Sequence, residues 1–169
     1  MGLSLESMAI EMPAVKGHPN RVGFRGVLTV VDVASDKPPA GARGHRVLLT
    51  RRAAEAAIPS LLGMALDYAP ALDRHDARRK VGVITRAQIV GRKIEVSGFL
   101  YARDFPEIVE EIGRKTPTQG LGMSYEIADA QIQDIHASVW VLNKATFTGA
   151  AILLRDKAAY RATWIELEQ

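Results

Sequence analysis

Apolar and polar residues alternate along much of the chain, which predicts β-strands that each bury one face. Six stretches have this strand-like pattern, and in chain order they are "GFRGVLTVVDVAS", "HRVLLT", "KVGVITRAQIV", "KIEVSGFLYA", "LGMSYEIADAQIQD" and "HASVWVLNKATF". The third and fourth stretches flank "GR" and predict a β-hairpin. The fifth and sixth predict a second antiparallel pair.

Fewer segments predict helices. Thr50 can cap a helix that begins at the alanine-rich "RRAAEAAI", and after a break at Pro59 "SLLGMALDY" continues an apolar face. Asp104 and Glu107 are spaced as a capping box for "FPEIVEEIGRK", which "TPTQG" ends. Asp156 predicts a short helix in the closing segment.

Strands outnumber helices, so the sequence predicts an α+β protein with an antiparallel sheet or barrel. Residues 1–20 are weakly patterned and predict an N-terminal arm or an edge strand, while residues 21–169 form the main domain. The chain has no cysteine, which excludes disulfides, an all-thiolate zinc site and a catalytic thiol. No apolar run approaches the ~20 residues that cross a membrane.

The net charge of +3 is modest, and much of it comes from one basic loop. That loop contains Arg74, Arg78, Arg79 and Lys80. It predicts a solvated loop, with contact to nucleic acid or to an acidic partner as the alternative. No aromatic residues are interleaved with these cations, so we expect no specific nucleic-acid binding.

Ser124 is a candidate nucleophile at the entrance of a predicted strand. Gly120 and Gly122 precede it and permit unusual backbone angles and close approach of a substrate. A serine hydroxyl needs a base to take its proton, and the sequence predicts that His75 can reach Ser124 across the sheet. Asp73, His75 and Asp76 also have the chemistry of a metal site, but no second histidine-containing pair completes one, so neither metal nor cofactor is expected.

The order of these elements resembles the prohead maturation proteases of tailed bacteriophages, distant relatives of the herpesvirus assemblin proteases. His75 stands in a polar loop before a "GxV"-type strand, Val81-Gly82-Val83. The glutamate-rich stretch "EIVEEIGRKTPTQGLGMSYEI" then leads to Ser124 at the position of the nucleophile. The resemblance covers about residues 24 to 160.

The resemblance implies an assemblin-like β-barrel surrounded by helices, with residues 21–169 as a protease-like domain. It implies a serine endopeptidase in which Ser124 is the nucleophile and His75 the base. The implied substrates are the scaffold protein and the major capsid protein precursor. The implied location is the interior of the assembling procapsid in the host cytoplasm, with self-association and no membrane partner.

One departure from the family concerns the third catalytic residue. Many relatives carry a glutamate in an "L-x-E-V-S" stretch before "P-A-N", whereas this chain has "WVLNKATFTGAAIL". Herpesvirus relatives use a second histidine, so His136 is the expected third member, with Asp134 and Asn143 as alternatives. Arg155 is a candidate for holding an oxyanion through a water. The missing glutamate also leaves open a catalytically inactive, protease-fold structural protein of the capsid or scaffold, and a metal-binding or nucleic-acid-binding module is a third alternative.

Overall fold

A computed structural model describes residues 17–114 and 120–168 of the chain. Most of the predicted N-terminal arm and most of the "TPTQG" segment therefore lie outside the described residues. In chain order the elements are β1 (Arg21–Val30), β2 (Arg46–Leu49), α1 (Arg51–Ala57), a 3-10 turn (Ile58–Leu61), β3 (Ala65–Asp67), β4 (Lys80–Val90), β5 (Lys93–Tyr101), α2 (Pro106–Arg114), β6 (Leu121–Ile132), β7 (Val139–Leu154) and β8 (Trp164–Leu167).

The strands form one strongly curved, half-barrel sheet, and the fold is α+β as the sequence predicts. β7 is the longest strand and pairs with three others. On one edge it pairs with β6 in antiparallel fashion, and on its other edge it pairs with both β2 and β3. Those last two pairings are parallel, so the expectation of a purely antiparallel sheet is wrong. α1 and the 3-10 turn connect β2 to β3, and these two strands pair with different parts of β7.

The core lies on the concave side of the sheet. Large side chains from β1 to β7 are fully buried there, and they include Phe24, Leu28, Leu66, Met123 and Phe147. Alternation along β6 sends Met123 to this side and Ser124 to the other side. Within the described ranges, neither helix has the length and apolar character that crossing a membrane requires.

Several local predictions are confirmed. β4 and β5 form the predicted hairpin around Gly91 and Arg92. The Thr50 hydroxyl accepts a hydrogen bond from the Ala53 N–H at 3.1 Å and caps α1. β6 and β7 form the second antiparallel pair, although β7 begins three residues later than predicted and continues to Leu154.

Three local predictions are wrong. "SLLGMALDY" does not continue a helix, because it forms a 3-10 turn and then β3, which pairs with both β4 and β7. The closing segment around Asp156 forms turns before β8 rather than a helix. The two carboxylates of the predicted capping box have other partners: the Asn20 amide donates to Asp104 at 2.8 Å, and the Tyr68 hydroxyl donates to Glu107.

Candidate active site

Ser124 lies within β6, on the outer face of the sheet. It follows Leu121, the first residue of the strand, by three positions, so it stands in regular extended backbone rather than on a tight turn. Gly122 serves close packing here, because a Cβ at this position would lie 2.7 Å from the Thr163 hydroxyl and 3.1 Å from the Cα of Arg155. The entrance of the strand is therefore covered by the segment that follows β7.

The sheet register aligns the carboxylate of Asp67 with Ser124 across three neighbouring strands. Ser124 pairs with Ala151 of β7, and Ala151 pairs with Asp67 of β3. Residues paired in this way project to the same face, so Ser124 and Asp67 flank Ala151 at about 10 Å between Cα atoms, twice the strand spacing. The methyl side chain of Ala151 leaves room between them.

The loop of residues 69–79 lies over this row of three residues. The Leu72 carbonyl accepts a hydrogen bond of 2.7 Å from the Leu154 N–H, which fastens the loop to the end of β7. Leu72 itself has a φ of 53°, a left-handed conformation that costs a bulky residue about 1–3 kcal/mol. Burial of its side chain and the bond to Leu154 offset that cost. The loop thereby carries His75 to the outer face of β7.

His75 bridges Ser124 and two carboxylates. Its Nε2 lies 3.3 Å from the Ser124 Oγ. Its Nδ1 lies 3.7 Å from an Asp67 oxygen and 3.6 Å from a Glu126 oxygen. The Nδ1 atom is buried and has no partner within hydrogen-bond distance. A small rotation of the ring toward either carboxylate would complete a serine–histidine–carboxylate chain, and such bonds are often long without substrate.

The two carboxylates differ in burial and anchoring. The Asp67 side chain is 3% exposed, and its Oδ1 accepts a 3.0 Å hydrogen bond from the Asp76 N–H. The Glu126 side chain is 56% exposed and lies beside Gly149, where a Cβ would stand 3.0 Å from the Glu126 Oε2. Asp67 is therefore held in place, whereas Glu126 is in contact with solvent.

Asp76 stabilises the loop next to His75. Its side chain accepts a 3.0 Å hydrogen bond from the Arg78 N–H and also contacts the Arg78 and Arg79 guanidinium groups. The Arg78 backbone bond, followed by the Arg78 side chain, lowers the pKa of Asp76 below its ordinary value. The Asp76 carboxylate therefore keeps its negative charge to a lower pH than an ordinary aspartate. Its backbone N–H donates to Asp67.

A second anchor joins this region to α2. Tyr68 directly follows Asp67, its hydroxyl donates to Glu107, and its ring meets Phe105 edge-on at 6.1 Å. Desolvation, followed by the hydrogen bond to Glu107, raises the pKa of Tyr68. The end of β3 is consequently fixed on the side of α2 as well as by the loop.

The structure does not bring His136 to this site. His136 lies in the exposed turn between β6 and β7, where its N–H donates to Asp134 at 2.8 Å. Ser124 and Ile132, the last residue of β6, are eight residues apart along the strand, or roughly 26 Å at the rise of a β-strand. Asn143 is exposed near the same turn, since its neighbour Leu142 pairs with Ile132. His136, Asp134 and Asn143 therefore lie away from His75, contrary to the expectation that one of them orients it. The carboxylates next to the His75 ring are instead those of Asp67 and Glu126.

Other sequence candidates have definite positions too. Arg155 directly follows β7 beside Gly122, and its Nε is buried. The Met123 N–H donates to the Thr163 hydroxyl at 3.1 Å, so this amide is already engaged next to Ser124. Across residues 17–114 and 120–168, no three histidine or acidic side chains gather closely enough to hold a metal ion.

Sequence reasoning missed Asp67 and Glu126. A signal for Glu126 was present, because residues i and i+2 of a strand share a face, and Glu126 follows Ser124 by two. Asp67 gives a weaker signal, since it ends a three-residue strand inside "SLLGMALDY", whose sequence pattern continues the apolar face of a helix. Comparison of the chain with models of known protein families finds no match, and comparison with curated proteins finds none either.

Proposed function

We propose that this protein is a serine hydrolase that cleaves peptide bonds, with Ser124 as the nucleophile and His75 as the general base. The observation that carries the proposal is the 3.3 Å contact between the Ser124 Oγ and the His75 Nε2. A carboxylate stands behind the imidazole on its Nδ1 side, as a serine nucleophile requires.

The proposed chemistry follows from the two nitrogens of His75. A proton on Nδ1, directed at Asp67, leaves the lone pair of Nε2 free to accept the proton of Ser124 as its oxygen attacks a carbonyl carbon. The imidazolium formed is stabilised by the negative charge of Asp67. His75 then returns the proton to the leaving amine, and water releases the acyl group by the same route.

Asp67 is the orienting carboxylate in this proposal. Its burial and its bond from the Asp76 N–H fix its position, so it favours one tautomer and one ring orientation of His75. Glu126 is solvated, so it adds negative charge near the His75 ring but does not fix the orientation of the ring. In this proposal Asp67 takes the place of the glutamate that the prohead proteases, which the sequence resembles, carry on a later strand.

The biological setting belongs to the same proposal and rests on the sequence resemblance. We propose that the protein acts in the assembling procapsid on the scaffold protein and the major capsid protein precursor. A covered serine site on a curved sheet is compatible with that setting. The active protease is favoured over the inactive alternative by the carboxylate of Asp67 on β3, which lies 3.7 Å from the His75 Nδ1 although the glutamate of the prohead proteases is missing.

A covalent probe tests the proposal without a known substrate. Purified protein is treated with a fluorophosphonate, and the modified residue is located by peptide mass spectrometry. We expect modification of Ser124, its loss in Ser124→Ala, and a loss of about 10⁴-fold in rate for His75→Gln because the base is removed. Ser138→Ala, an exposed serine near the other end of the same hairpin, is the matched control and should react like the original protein.

The outcomes separate the two functional readings. Modification of Ser124 followed by specific cuts in coexpressed capsid or scaffold precursor supports the protease. A folded protein whose Ser124 reacts no faster than free serine, and which cuts neither precursor, contradicts it and leaves the structural alternative.

A further inference from the structure

The basic loop of the sequence borders the candidate active site. Arg74 directly precedes His75, and Arg78, Arg79 and Lys80 follow it into β4. All four side chains are exposed, and that of Arg78 is 91% exposed. These four residues, named the basic rim here, lie on the loop that covers β7 and at the first residue of β4. A polypeptide reaching Ser124 past this loop therefore meets them.

The carboxylates in direct contact with the basic rim are mostly enclosed. Asp67 lies beneath it, 3.7 Å from the Lys80 Nζ, and Asp76 contacts Arg78 and Arg79 from a side chain that is 14% exposed. Asp73 of the loop, Glu126 of β6 and Glu107 of α2, which contacts Tyr68 beside Arg79, are exposed carboxylates near it. The side chains of Arg78, Arg79 and Lys80 are 91%, 46% and 45% exposed, whereas those of Asp76 and Asp67, which contact them, are 14% and 3% exposed. Asp76 orients two of the arginines without covering them.

Arg74 has the fewest interactions of the four residues in the basic rim. It makes no hydrogen bond or ion pair with another residue of the described ranges, and it adjoins the imidazole in sequence. A charge held at the surface without a partner interacts favourably with any anion brought next to it, and the interaction weakens as salt is added.

We propose that the basic rim binds an acidic segment of the substrate polypeptide beside the bond that Ser124 cleaves. This inference rests on the proposed function for its substrate class. A peptide suits the surface better than a nucleic acid does. A nucleic acid strand brings a negative charge at every nucleotide, and some of these would fall beside Glu126 and Asp73. A peptide places its carboxylates only where the arginines are.

Binding is measured on Ser124→Ala, so that the peptide is not cut. The probes are a fluorescein-labelled 12-residue peptide rich in Asp and Glu, and its analogue with Asn and Gln at the same positions. Fluorescence anisotropy is followed up to 1 mM protein at 50 mM and at 500 mM salt. We expect the acidic peptide to bind about 10-fold more tightly than the neutral one at low salt, and the difference to shrink at high salt.

Charge reversals identify the surface. Arg74→Glu should remove most of the preference for the acidic peptide, and Arg74→Glu with Arg78→Glu should remove all of it. The matched control is Arg52→Glu with Arg92→Glu, which changes net charge equally at exposed positions on α1 and in the β4–β5 turn. The β4–β5 turn lies at the opposite end of the 11-residue β4 from Lys80. This control should keep the preference.

Each other outcome overturns the inference. Equal binding of the two peptides, no binding up to 1 mM, or an equal loss in the control pair would show that the basic rim does not select acidic chains. Tighter binding of a dT12 oligonucleotide with the same dependence on Arg74 would assign the surface to nucleic acid. Fluorophosphonate modification of Ser124 in the original protein tests the proposed function and is measured independently of peptide binding. A failure of the proposed function and a failure of this inference therefore give different results.

Discussion

The β6–β7 hairpin has two ends that carry similar side chains, and only one of them assembles a site. Near its open end, Ser124 and Glu126 project outward beside Ala151 and Gly149, and the loop of residues 69–79 brings His75 next to both. At its turn, His136 and Asp134 also project outward, but they are exposed and the His136 N–H bonds only within the turn. Both ends therefore have a histidine near a carboxylate: His75 near Asp67 and Glu126 at the open end, and His136 near Asp134 at the turn. The ends differ because the loop packs over the open end, whereas His136 and Asp134 at the turn are exposed.

The largest effect expected from this difference is at Asp67. Asp67→Asn keeps the shape and the bond from the Asp76 N–H but removes the charge facing His75. We expect the rate of Ser124 modification by a fluorophosphonate to fall by about 10²- to 10⁴-fold. Glu126→Gln is the matched control, and it should cost less than about 10-fold because a solvated carboxylate interacts weakly. A larger loss from Glu126→Gln than from Asp67→Asn would transfer the orienting role to Glu126.

An intermediate effect is expected at Ala151, the small residue between Ser124 and Asp67. Ala151→Val adds two methyl groups beneath the imidazole and should displace it by about 1 Å, which typically costs about 10²-fold in rate. Ala150→Val, on the other face of the same strand, is the matched control. Both overpack a fully buried position and should cost about 1–3 kcal/mol of unfolding free energy, measured by denaturant titration. Equal reactivity per folded molecule in the two variants would contradict this account of Ala151.

The smallest effect is expected at the turn. His136→Ala should leave the rate of Ser124 modification within about twofold of the original and the unfolding free energy within about 0.5 kcal/mol, as for other exposed positions. The same two measurements check it. A loss of tenfold or more would mean that the turn contacts the site in solution, and the comparison between the two ends would fail.

The sequence predicts the pair His75 and Ser124 better than it predicts their partner. The pair follows from the order of motifs along the chain, which the resemblance supplies. Asp67 depends instead on β3, a three-residue strand that is held by pairing with β4 and β7 and by contacts from α2 and the loop, all distant in sequence or outside the strand. So short a strand has no periodicity of its own, and "SLLGMALDY" satisfies a helical pattern equally well.

His136 illustrates the converse error. The sequence places it at the start of a strand, but the chain is still turning there because the Asp134 side chain accepts the His136 N–H. That local bond outweighs the β-propensity of the residues that follow. The parallel pairings of β2 and β3 with β7 were also beyond prediction, since they join segments about 90 residues apart in the chain.

The position of β7 between β3 and β6 has a consequence for the ribosome-bound chain. β7 is synthesised after both β3 and β6, yet Asp67 and Ser124 become neighbours only across Ala151 of β7. The loop bearing His75 is likewise fastened through the Leu154 N–H at the far end of β7. A nascent chain that has emerged only as far as β6 therefore contains Asp67, His75 and Ser124 without the strand that brings them together. In the proposed mechanism, the three side chains can act together only after β7 has been translated and has paired with β3 and β6.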